Sequence, residues 1–599
     1  MATALRVTDP PAAVPDGLPA LPADAAPRDH RWRGPAAAAA VAAAPMIAML
    51  VSVVVGGGPR TESADDALLT MATRDAIRGT QLLGPYSRFG WHHPGPSYFY
   101  LLSFPTWIWH GGPTGSWVGA TAIGLAAVAA TAFVVRRWAG PRGAWWTVVA
   151  ALAVVTGLGP GLFRDPWNPY VVTLPILFVA VASAFAAAGS RGALAWALVV
   201  GSFAVQTHVS TAPVVVGLVV AAAAVQAGRW GWRRAHPVIH LDHIPAELPA
   251  LAGEVDDRWW TYRPEIAIAV MVLIAEWLPP LWDELFGTGN LTKLVSFFTA
   301  PHPAHPWDAS WRVVTTMFGI TLFQHHGAIS DLVGDPHPVV TTVAFVALVV
   351  AAIAAGVVRR RPAAVWLGVF GLLAAALAVE SVTRVVGPTY HYLVFWMVSL
   401  PVLPAIGLAI GLEGVDVGGG LPRRVRPGTV VAAIAVLGMS ALGVQGVVRA
   451  KPAAALTDKD IASAWRMVAP VVGTNHDPVR VEIADGARWP AAAGIGLELE
   501  RHGHPVRVDS QWTLLFGARR LSHGNEPIAI IVGTDNNAFP LPAAATLLGQ
   551  AGPDVVWVRR SGPTCWDGWI PMGGPACPPL VSSQGPTLAP LEPGAPPSS

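Results

Sequence analysis

The chain alternates between long apolar runs and short segments that carry its charged residues. A helix needs about 20 apolar residues to cross the hydrocarbon core of a bilayer. This pattern predicts eleven membrane-spanning helices, near residues 35–57, 116–135, 143–160, 169–189, 193–209, 210–227, 264–279, 338–358, 363–383, 391–412 and 428–447. Two shorter apolar stretches, 98–109 and 311–323, predict helices that lie along the outer membrane surface.

After residue 450 the apolar runs become short and alternate with polar residues, which is typical of strands. Four such runs, at 479–483, 506–508, 528–532 and 555–558, and one helix near 487–502 predict a small α/β domain over 450–577.

Both ends of the chain lack this patterning. Residues 1–34, which contain many Pro, Ala and Asp, predict a disordered tail, and the Pro/Gly/Ser-rich residues 578–599 predict a flexible one. The only two cysteines, Cys565 and Cys577, predict a disulfide if this domain lies in an oxidising compartment, with two unpaired thiols as the alternative.

Composition agrees with a membrane domain over 35–449. Hydrophobic residues make up 53% of the chain and charged residues 13%, with a mean hydropathy of +0.47. A soluble domain has about a quarter charged residues. The net charge of +2 comes from basic residues scattered at the ends of segments, and no basic patch indicates nucleic-acid binding.

The basic residues also predict the orientation. The cationic clusters between the predicted spans fall at 136–137, 191, 229–234, 359–361 and 423–426. A cytoplasmic N-terminus places all of them on the cytoplasmic side, as the positive-inside rule requires. The first long loop, 58–115, and the C-terminal domain then lie outside the plasma membrane.

The predicted outer loops concentrate ionisable and aromatic residues. Polar groups gathered on one side of a membrane protein indicate a site. The alternative is that the aromatic residues form the interfacial belt and the charges solvate loops. The candidates are Asp65, Asp66, Arg74, Asp75, Tyr86, Arg88, Trp91, His92 and His93 in the first loop, and Asp165, Trp167, Asp283, Asn290, Arg384, Tyr390 and His391 in later loops.

The acidic pair directly after the first span resembles the GT-C superfamily of integral-membrane glycosyltransferases. The stretch from His93 to Leu102 is similar to the His-Pro-Pro-Leu-Tyr-Tyr-Leu-Leu segment of the protein mannosyltransferase and aminoarabinose transferase branch, with Gly95 in place of a proline. The C-terminal domain is related only by analogy to arabinofuranosyl- and mannosyltransferases of actinobacteria. The resemblance implies transfer of a sugar from a polyprenyl-phosphate carrier to an acceptor of the bacterial cell envelope.

Within this resemblance, Asp65 or Asp66 is the expected general base, because an attacking hydroxyl must lose its proton. The leaving phosphate requires cations or donors, for which Arg88, His92, His93, Arg384 and His391 are candidates. The remaining candidates are assigned to substrate binding: Arg74, Asp75, Tyr86, Trp91, Asp165, Trp167, Asp283, Asn290 and Tyr390.

No cofactor is firmly implied, and no glycine-rich nucleotide cradle is present in the membrane body. An assisting divalent metal held by His92, His93 and the acidic pair stays open, although two adjacent histidines point apart. A transporter or lipid flippase is an alternative reading, for which Glu380 is the best feature. A polysaccharide-binding scaffold anchored by the membrane body is a third.

Overall fold

The computed structural model describes residues 33–235, 263–324, 338–412, 427–534 and 545–560. The predicted tails 1–34 and 578–599 lie almost entirely outside these residues, and the predicted disulfide between Cys565 and Cys577 lies outside them.

Helices dominate the chain up to residue 449. In order they are α1 (Arg33–Gly56), α2 (Ala64–Ile77), α3 (Ser97–Ile108), α4 (Pro113–Leu158), α5 (Asn168–Val171), α6 (Thr173–Ala188), α7 (Arg191–Thr207), α8 (Ala212–Ala235), α9 (Arg263–Phe286), α10 (Asn290–Thr299), α11 (Trp307–Phe323), α12 (Pro338–Val358), α13 (Pro362–Thr383), α14 (Val402–Gly411) and α15 (Pro427–Arg449).

The predicted membrane architecture is confirmed. Within the described residues, six helical segments are long and apolar enough to span a bilayer, and five shorter apolar helices occupy the positions of the other five predicted spans. Helix α4 supplies two of these segments, because its backbone leaves the helical conformation at Gly140, where φ is +77°. Helix α6 lies at the centre of the bundle and packs against α4, α7, α8 and α13.

Two of the predicted elements differ from the structure. The stretch 311–323 does not lie along the surface, because α11 packs between α4, α12 and α13 and buries Val314, Met317 and Phe318. A short apolar helix can lie inside a bundle as well as on a membrane, and length alone does not distinguish the two. The predicted span 391–412 begins with two 3₁₀ turns, His391–Leu393 and Phe395–Ser399, and becomes α-helical only in α14.

The C-terminal domain is a five-stranded sheet with strand order β2-β1-β3-β5-β4. Its strands are β1 (Val479–Ile483), β2 (Val506–Val508), β3 (Ile528–Gly533), β4 (Thr546–Ala551) and β5 (Asp554–Arg560), and its helices are α16 (Lys459–Val472), α17 (Trp489–Arg501) and α18 (Thr513–Phe516). Strands β1, β2 and β3 are parallel, whereas β5 runs antiparallel to β3 and β4.

The predicted α/β domain is therefore present, with four strands and α17 at their predicted positions. Strand β4 was not predicted, because its sequence lacks the alternating pattern and contains Gly549, whose φ is +152°. It lies at the edge of the sheet, and of its six residues only Ala551 is buried.

Helix α2 lies between the two parts of the protein. Ala67, Leu68 and Met71 on one face belong to the hydrophobic core of the C-terminal domain. Leu69, on another face, packs with Tyr98 and its neighbours on α3. The position of α2 is thus fixed from both sides.

Candidate active site

The first long loop, 58–115, contains a tight hairpin. Tyr86 and His92 pair in an antiparallel bridge, and the backbone N–H groups of Ser87 and His93 donate to the carbonyls of Trp91 and Pro85, both at 2.8 Å. The turn between them uses Gly90 at φ +86°, a conformation that glycine adopts without steric cost. This hairpin presents the Tyr86 and Arg88 side chains toward the other outer loops.

The acidic pair occupies the first turn of α2. Asp65 is held on both oxygens: the Tyr86 hydroxyl donates to Oδ1 at 2.5 Å, and the Trp167 indole N–H donates to Oδ2 at 3.1 Å. Asp66 has no hydrogen-bond partner within the described parts of the chain. Ala64, directly before the pair, has φ +48°, which is strained for a residue with a Cβ.

Burial affects the two carboxyl groups differently. Desolvation raises the pKa of Asp65, but the bonds from Tyr86 and Trp167 stabilise its charged form and oppose this shift. Desolvation raises the pKa of Asp66 well above its ordinary value, and the nearby carboxylates of Asp165, Glu62 and Asp65 raise it further. Asp65 is therefore the member of the pair that ionises more readily, and two donors fix its direction.

Two further carboxyl groups lie near the pair. Desolvation raises the pKa of Asp165 to about 6, although its oxygen accepts a 2.8 Å hydrogen bond from the backbone N–H of Trp167. Desolvation raises the pKa of Glu62 to about 7, against the opposing effect of Arg501. The site thus concentrates protonatable groups whose ionisation depends on one another.

An aromatic and cationic wall borders Asp65. The Trp167 ring lies 5.4 Å from the Tyr392 ring, and Tyr392 is stacked with Tyr390 at 5.8 Å with an interplanar angle of 12°. The Arg88 guanidinium lies 5.1 Å from the centre of the Tyr390 ring. Three predicted outer loops, which carry Asp65 and Arg88, Trp167, and Tyr390, therefore meet at one place. Flat aromatic faces and a fixed positive charge beside a carboxylate suit a sugar linked to a phosphate.

His92 and His93 are built into the scaffold of the loop. Burial lowers the pKa of His92 to about 4 and the pKa of His93 well below its ordinary value, so both rings are neutral near pH 7. The Nδ1 atom of His93 accepts a 3.0 Å hydrogen bond from the backbone N–H of Val209. Neither ring therefore carries a positive charge near pH 7, and the predicted role of the two histidines as donors to a phosphate stays a prediction.

Asp283 and Asn290 hold the same loop. Asp283 accepts hydrogen bonds from the Thr288 hydroxyl at 2.8 Å and from the Asn290 backbone at 3.3 Å. The Asn290 side chain accepts from the His92 N–H at 2.7 Å and donates to the His92 carbonyl at 3.0 Å. These contacts occupy the side-chain oxygens of Asp283 and the side-chain amide of Asn290. The two residues therefore hold the loops in position.

Trp91 is buried and packs among aromatic rings. Its ring centre lies 5.5 Å from Phe297 and 5.7 Å from Phe298, both on α10, and 5.7 Å from His93. A ring enclosed in this way does not offer a face to a sugar, in contrast to the expected role. It joins the hairpin to the amphipathic helix α10.

Four other residues that were predicted for the site, Arg74, Asp75, Arg384 and His391, have contacts with residues other than Asp65. Arg74 donates to the Gly111 and Glu500 carbonyls, each at 3.2 Å, and Asp75 forms ion pairs with arginines of the C-terminal domain. Arg384 is exposed and pairs with Glu380 at 2.6 Å. His391 packs against Phe395 and Tyr392.

Gln206, near the end of α7, connects α3 to α9. Its Oε1 accepts a 2.5 Å hydrogen bond from Ser97 at the start of α3, and its Nε2 donates to the Glu276 carbonyl at 3.2 Å. A Cβ at Gly95 would lie 2.2 Å from Gln206 Oε1, so a side chain at this position would force the Gln206 side chain to move and break its hydrogen bonds. The departure from the motif therefore has a packing reason.

A large apolar cavity of about 1380 Å³ begins at the start of α3, directly after the first-loop hairpin in the sequence. It is bounded by α3, α4, α6, α7 and α9, and it extends from Pro96 and Ser97, beside the hairpin, to Arg137 at the opposite end of the first half of α4. The cavity-lining stretch of α4 from Val118 to Trp138 corresponds to roughly 30 Å of helix, about the thickness of the hydrocarbon core. Helix α3 lies between this cavity and α2, since it lines the cavity with Ser97 and Tyr100 and packs against α2 with Tyr98.

Among the described residues, no group of three or more His, Cys, Asp or Glu side chains is arranged to hold a metal ion. The adjacent histidines and the acidic pair form separate hydrogen-bonded groups, as described above.

The fold is that of an α-helical membrane protein with many apolar helices and a small C-terminal α/β domain. Among solved structures, ArnT from Cupriavidus metallidurans bound to undecaprenyl phosphate matches with a TM-score of 0.51 and 14% identity, over 86% of this chain and 97% of that chain. Its apo form matches with a TM-score of 0.51 and 14% identity, over 85% and 96%. The apo oligosaccharyltransferase of Archaeoglobus fulgidus has a TM-score of 0.38 at 15% identity, over 80% of this chain and 64% of that one.

No model of a known protein family matches the chain, and no curated protein matches it either. The similarity to ArnT extends over nearly the whole of that chain and shows that the two proteins share a fold.

Proposed function

We propose that this protein is a membrane glycosyltransferase that moves a sugar from a polyprenyl-phosphate carrier to an acceptor hydroxyl, with Asp65 as the general base. The observation that carries the proposal is the Asp65 carboxylate, which is aimed by the Tyr86 hydroxyl and the Trp167 indole beside Arg88 and two tyrosines. The fold shared with an ArnT bound to undecaprenyl phosphate supports a lipid-linked donor.

The reaction would proceed by displacement at the anomeric carbon. The acceptor oxygen forms a bond to that carbon and loses its proton to Asp65, while the bond to the phosphate oxygen breaks and the electron pair leaves with the lipid phosphate. Arg88 offsets the negative charge that the leaving phosphate gains. Asp66 holds its proton more readily than Asp65, so it keeps the local negative charge from accumulating.

The apolar cavity suits the isoprenoid chain of the carrier. Its length matches the thickness of a membrane, and its end at Ser97 lies beside the loop that carries Arg88. A chain lying there would bring its phosphate to the start of α3. Glu276, whose side chain lines the same end, would then face the sugar-phosphate region.

The positive-inside distribution supports an extracytoplasmic site in a plasma membrane, with the N-terminus in the cytoplasm. An envelope glycan, lipid or protein is the acceptor class that fits this side. The actinobacterial analogy alone favours an arabinofuranosyl or mannosyl donor.

The test is transfer from synthetic polyprenyl-phosphate arabinose, mannose and glucose by the purified full chain, with and without divalent metal and crude envelope acceptor. Asp65→Asn should lower kcat by about 10²–10⁴-fold in protein that stays folded. The matched control is Asp308→Asn, an exposed carboxylate at the start of α11, which should retain activity. Absence of turnover with every donor, or full activity of Asp65→Asn, would refute the proposal, and translocation of lipid or glycan would then be measured.

A further inference from the structure

The C-terminal domain contacts the helix that carries the acidic pair over most of its length. Ala67, Leu68 and Met71 of α2 are 5% exposed or less and lie in the core of that domain. The main partner is α17, and α18 adds further contacts. Helix α2 is therefore as much a part of the C-terminal domain as of the membrane domain.

At its beginning, this contact is an ion pair three residues before the proposed base. Arg501 of α17 donates from Nη2 to Glu62 Oε2 at 2.7 Å and from Nη1 to the Arg60 carbonyl at 3.0 Å. The Glu62 side chain is 1% exposed, so the pair is enclosed. A Cβ at Gly494 would lie 2.6 Å from the Glu62 carbonyl oxygen, which shows how closely α17 approaches this segment.

At its end, α2 is held by a second group of ion pairs. Asp75 pairs with Arg520 at 2.7 Å and with Arg519 at 2.8 Å, and Arg520 also pairs with Glu500 at 2.7 Å. Arg74 adds a 3.2 Å hydrogen bond to the Glu500 carbonyl. Both ends of α2 are thus fixed to the same domain, about 20 Å apart along the helix.

We propose that Arg501 is a positioning residue for the transfer reaction and that the C-terminal domain forms part of the active-site scaffold. This inference rests on the proposed function. By holding Glu62 and the Arg60 carbonyl, Arg501 fixes the chain that leads into the first turn of α2 and so fixes the direction of the Asp65 carboxylate. Arg501, which belongs to the C-terminal domain, also supplies the positive charge that faces Glu62. Glu62 in turn interacts electrostatically with Asp66.

A double-mutant cycle on the full chain tests this role. Arg501→Gln should lower kcat by about 10–100-fold, because a displacement near 1 Å has an effect of this size, while KM for the lipid donor changes by less than about 3-fold. Arg501→Lys should retain most of the activity. Combining Glu62→Gln with Arg501→Gln replaces the ion pair by an amide pair and should restore much of the lost kcat.

The matched control is Arg559→Gln, which breaks the ion pair between Arg559 and Glu482 on β5 and β1. The Arg559 side chain is 7% exposed and that of Arg501 is 13% exposed, and the described contacts of Arg559 do not include α2. Its kcat should stay close to that of the unmodified protein. Equal losses in Arg559→Gln and Arg501→Gln would mean that only domain stability matters, and the positioning role would be wrong.

Hydrogen exchange separates this inference from the proposed function, because it requires no transfer activity. Amides of residues 62–70 should exchange faster in Arg501→Gln than in Arg559→Gln or the unmodified protein. If they do so in a protein that transfers no sugar from any donor, the contact is supported while the proposed function fails. Unchanged exchange together with unchanged kcat in Arg501→Gln would overturn the inference.

Discussion

Replacing Tyr86 by phenylalanine tests the proposed base directly. The substitution removes one hydroxyl, whose 2.5 Å hydrogen bond stabilises the charged form of Asp65, and keeps a ring for the edge contact with Trp489 at 6.1 Å. Burial raises the pKa of the Tyr86 hydroxyl well above its ordinary value, so in the unmodified protein it remains a donor across the working pH range.

The size and sign of the effect follow from this bond. A hydrogen bond to a charged group contributes about 1.5–3 kcal/mol, and a tenfold change in ionisation corresponds to about 1.4 kcal/mol, so the acid limb of kcat/KM should move by about 1–2 pH units. The limb should move to higher pH, because the ionised form of Asp65 is the one that loses stabilisation. Activity should therefore fall most at acidic pH and recover toward that of the unmodified protein at alkaline pH.

The measurement is kcat/KM for the active donor from about pH 5 to 9 in the unmodified protein, Tyr86→Phe, Trp167→Phe and Tyr100→Phe. Trp167→Phe removes the longer 3.1 Å bond and should move the limb by a smaller amount in the same direction. Tyr100 is the control, because its hydroxyl donates to the Gln81 carbonyl at 3.0 Å and not to a carboxylate. A limb that stays in place in Tyr86→Phe, or that moves as far in Tyr100→Phe, would refute Asp65 as the group that titrates.

Three further predictions concern stability and the lipid cavity. Because burial raises the pKa of Glu62 from 4.5 to about 7, its ionisation destabilises the folded protein by about 3 kcal/mol, and this loss develops as pH rises from about 4.5 to 7. Glu62→Gln should therefore flatten the dependence of the melting temperature on pH between pH 5 and 8. Ala126→Trp should raise KM at least about tenfold for a long-chain donor and much less for a short-chain one, because Ala126 faces the cavity. Ala64→Val should destabilise by about 1–2 kcal/mol and Ala64→Gly should not, since φ there is +48°; equal melting temperatures would contradict this.

Much of the fold is encoded in local patterns, and the sequence predicted that part well. The spans and four of the strands could be located because hydrophobic periodicity is read over 5 to 20 neighbouring residues. Helix α11 was misplaced because its apolar run of 311–323 fits both a surface helix and a buried one. Strand β4 was missed because an edge strand does not require an alternating sequence.

The candidate site was predictable in composition but not in roles. The sequence selected Asp65, Tyr86 and Trp167, and the structure places them in hydrogen-bonding contact. It could not separate residues that face a substrate from Asp283, which bonds to its own loop, and Asn290, which bonds to His92 of the first loop. In the sequence, a polar loop residue that binds substrate cannot be distinguished from one that holds a loop in position. The structure distinguishes them by the atoms with which each side chain forms hydrogen bonds.

The contacts of the C-terminal domain lay beyond sequence reasoning for a different reason. Arg501 is 439 residues from Glu62, and Arg520 is 445 residues from Asp75. No periodicity or spacing links positions so far apart, and Asp75 was expected to bind substrate because it stands in a loop rich in candidates. A buried aspartate between arginines is a structural arrangement, which breaks at a high energetic cost when one partner is removed.

The Asp65 carboxylate accepts hydrogen bonds from neutral groups and forms no ion pair among the described residues, which is consistent with a role as a base. Glu62 is paired with Arg501, whereas Asp65 is held by two neutral donors and Asp66 has no hydrogen-bond partner among the described residues. A guanidinium bound directly to Asp65 would stabilise its charged form and make it a weaker base. Neutral donors orient the Asp65 carboxylate and leave much of its basicity. The nearby arginine of the C-terminal domain, Arg501, pairs with Glu62 and not with Asp65. Under the proposed function, this arrangement keeps the positive charge of Arg88 available for a phosphate and leaves Asp65 to accept the proton.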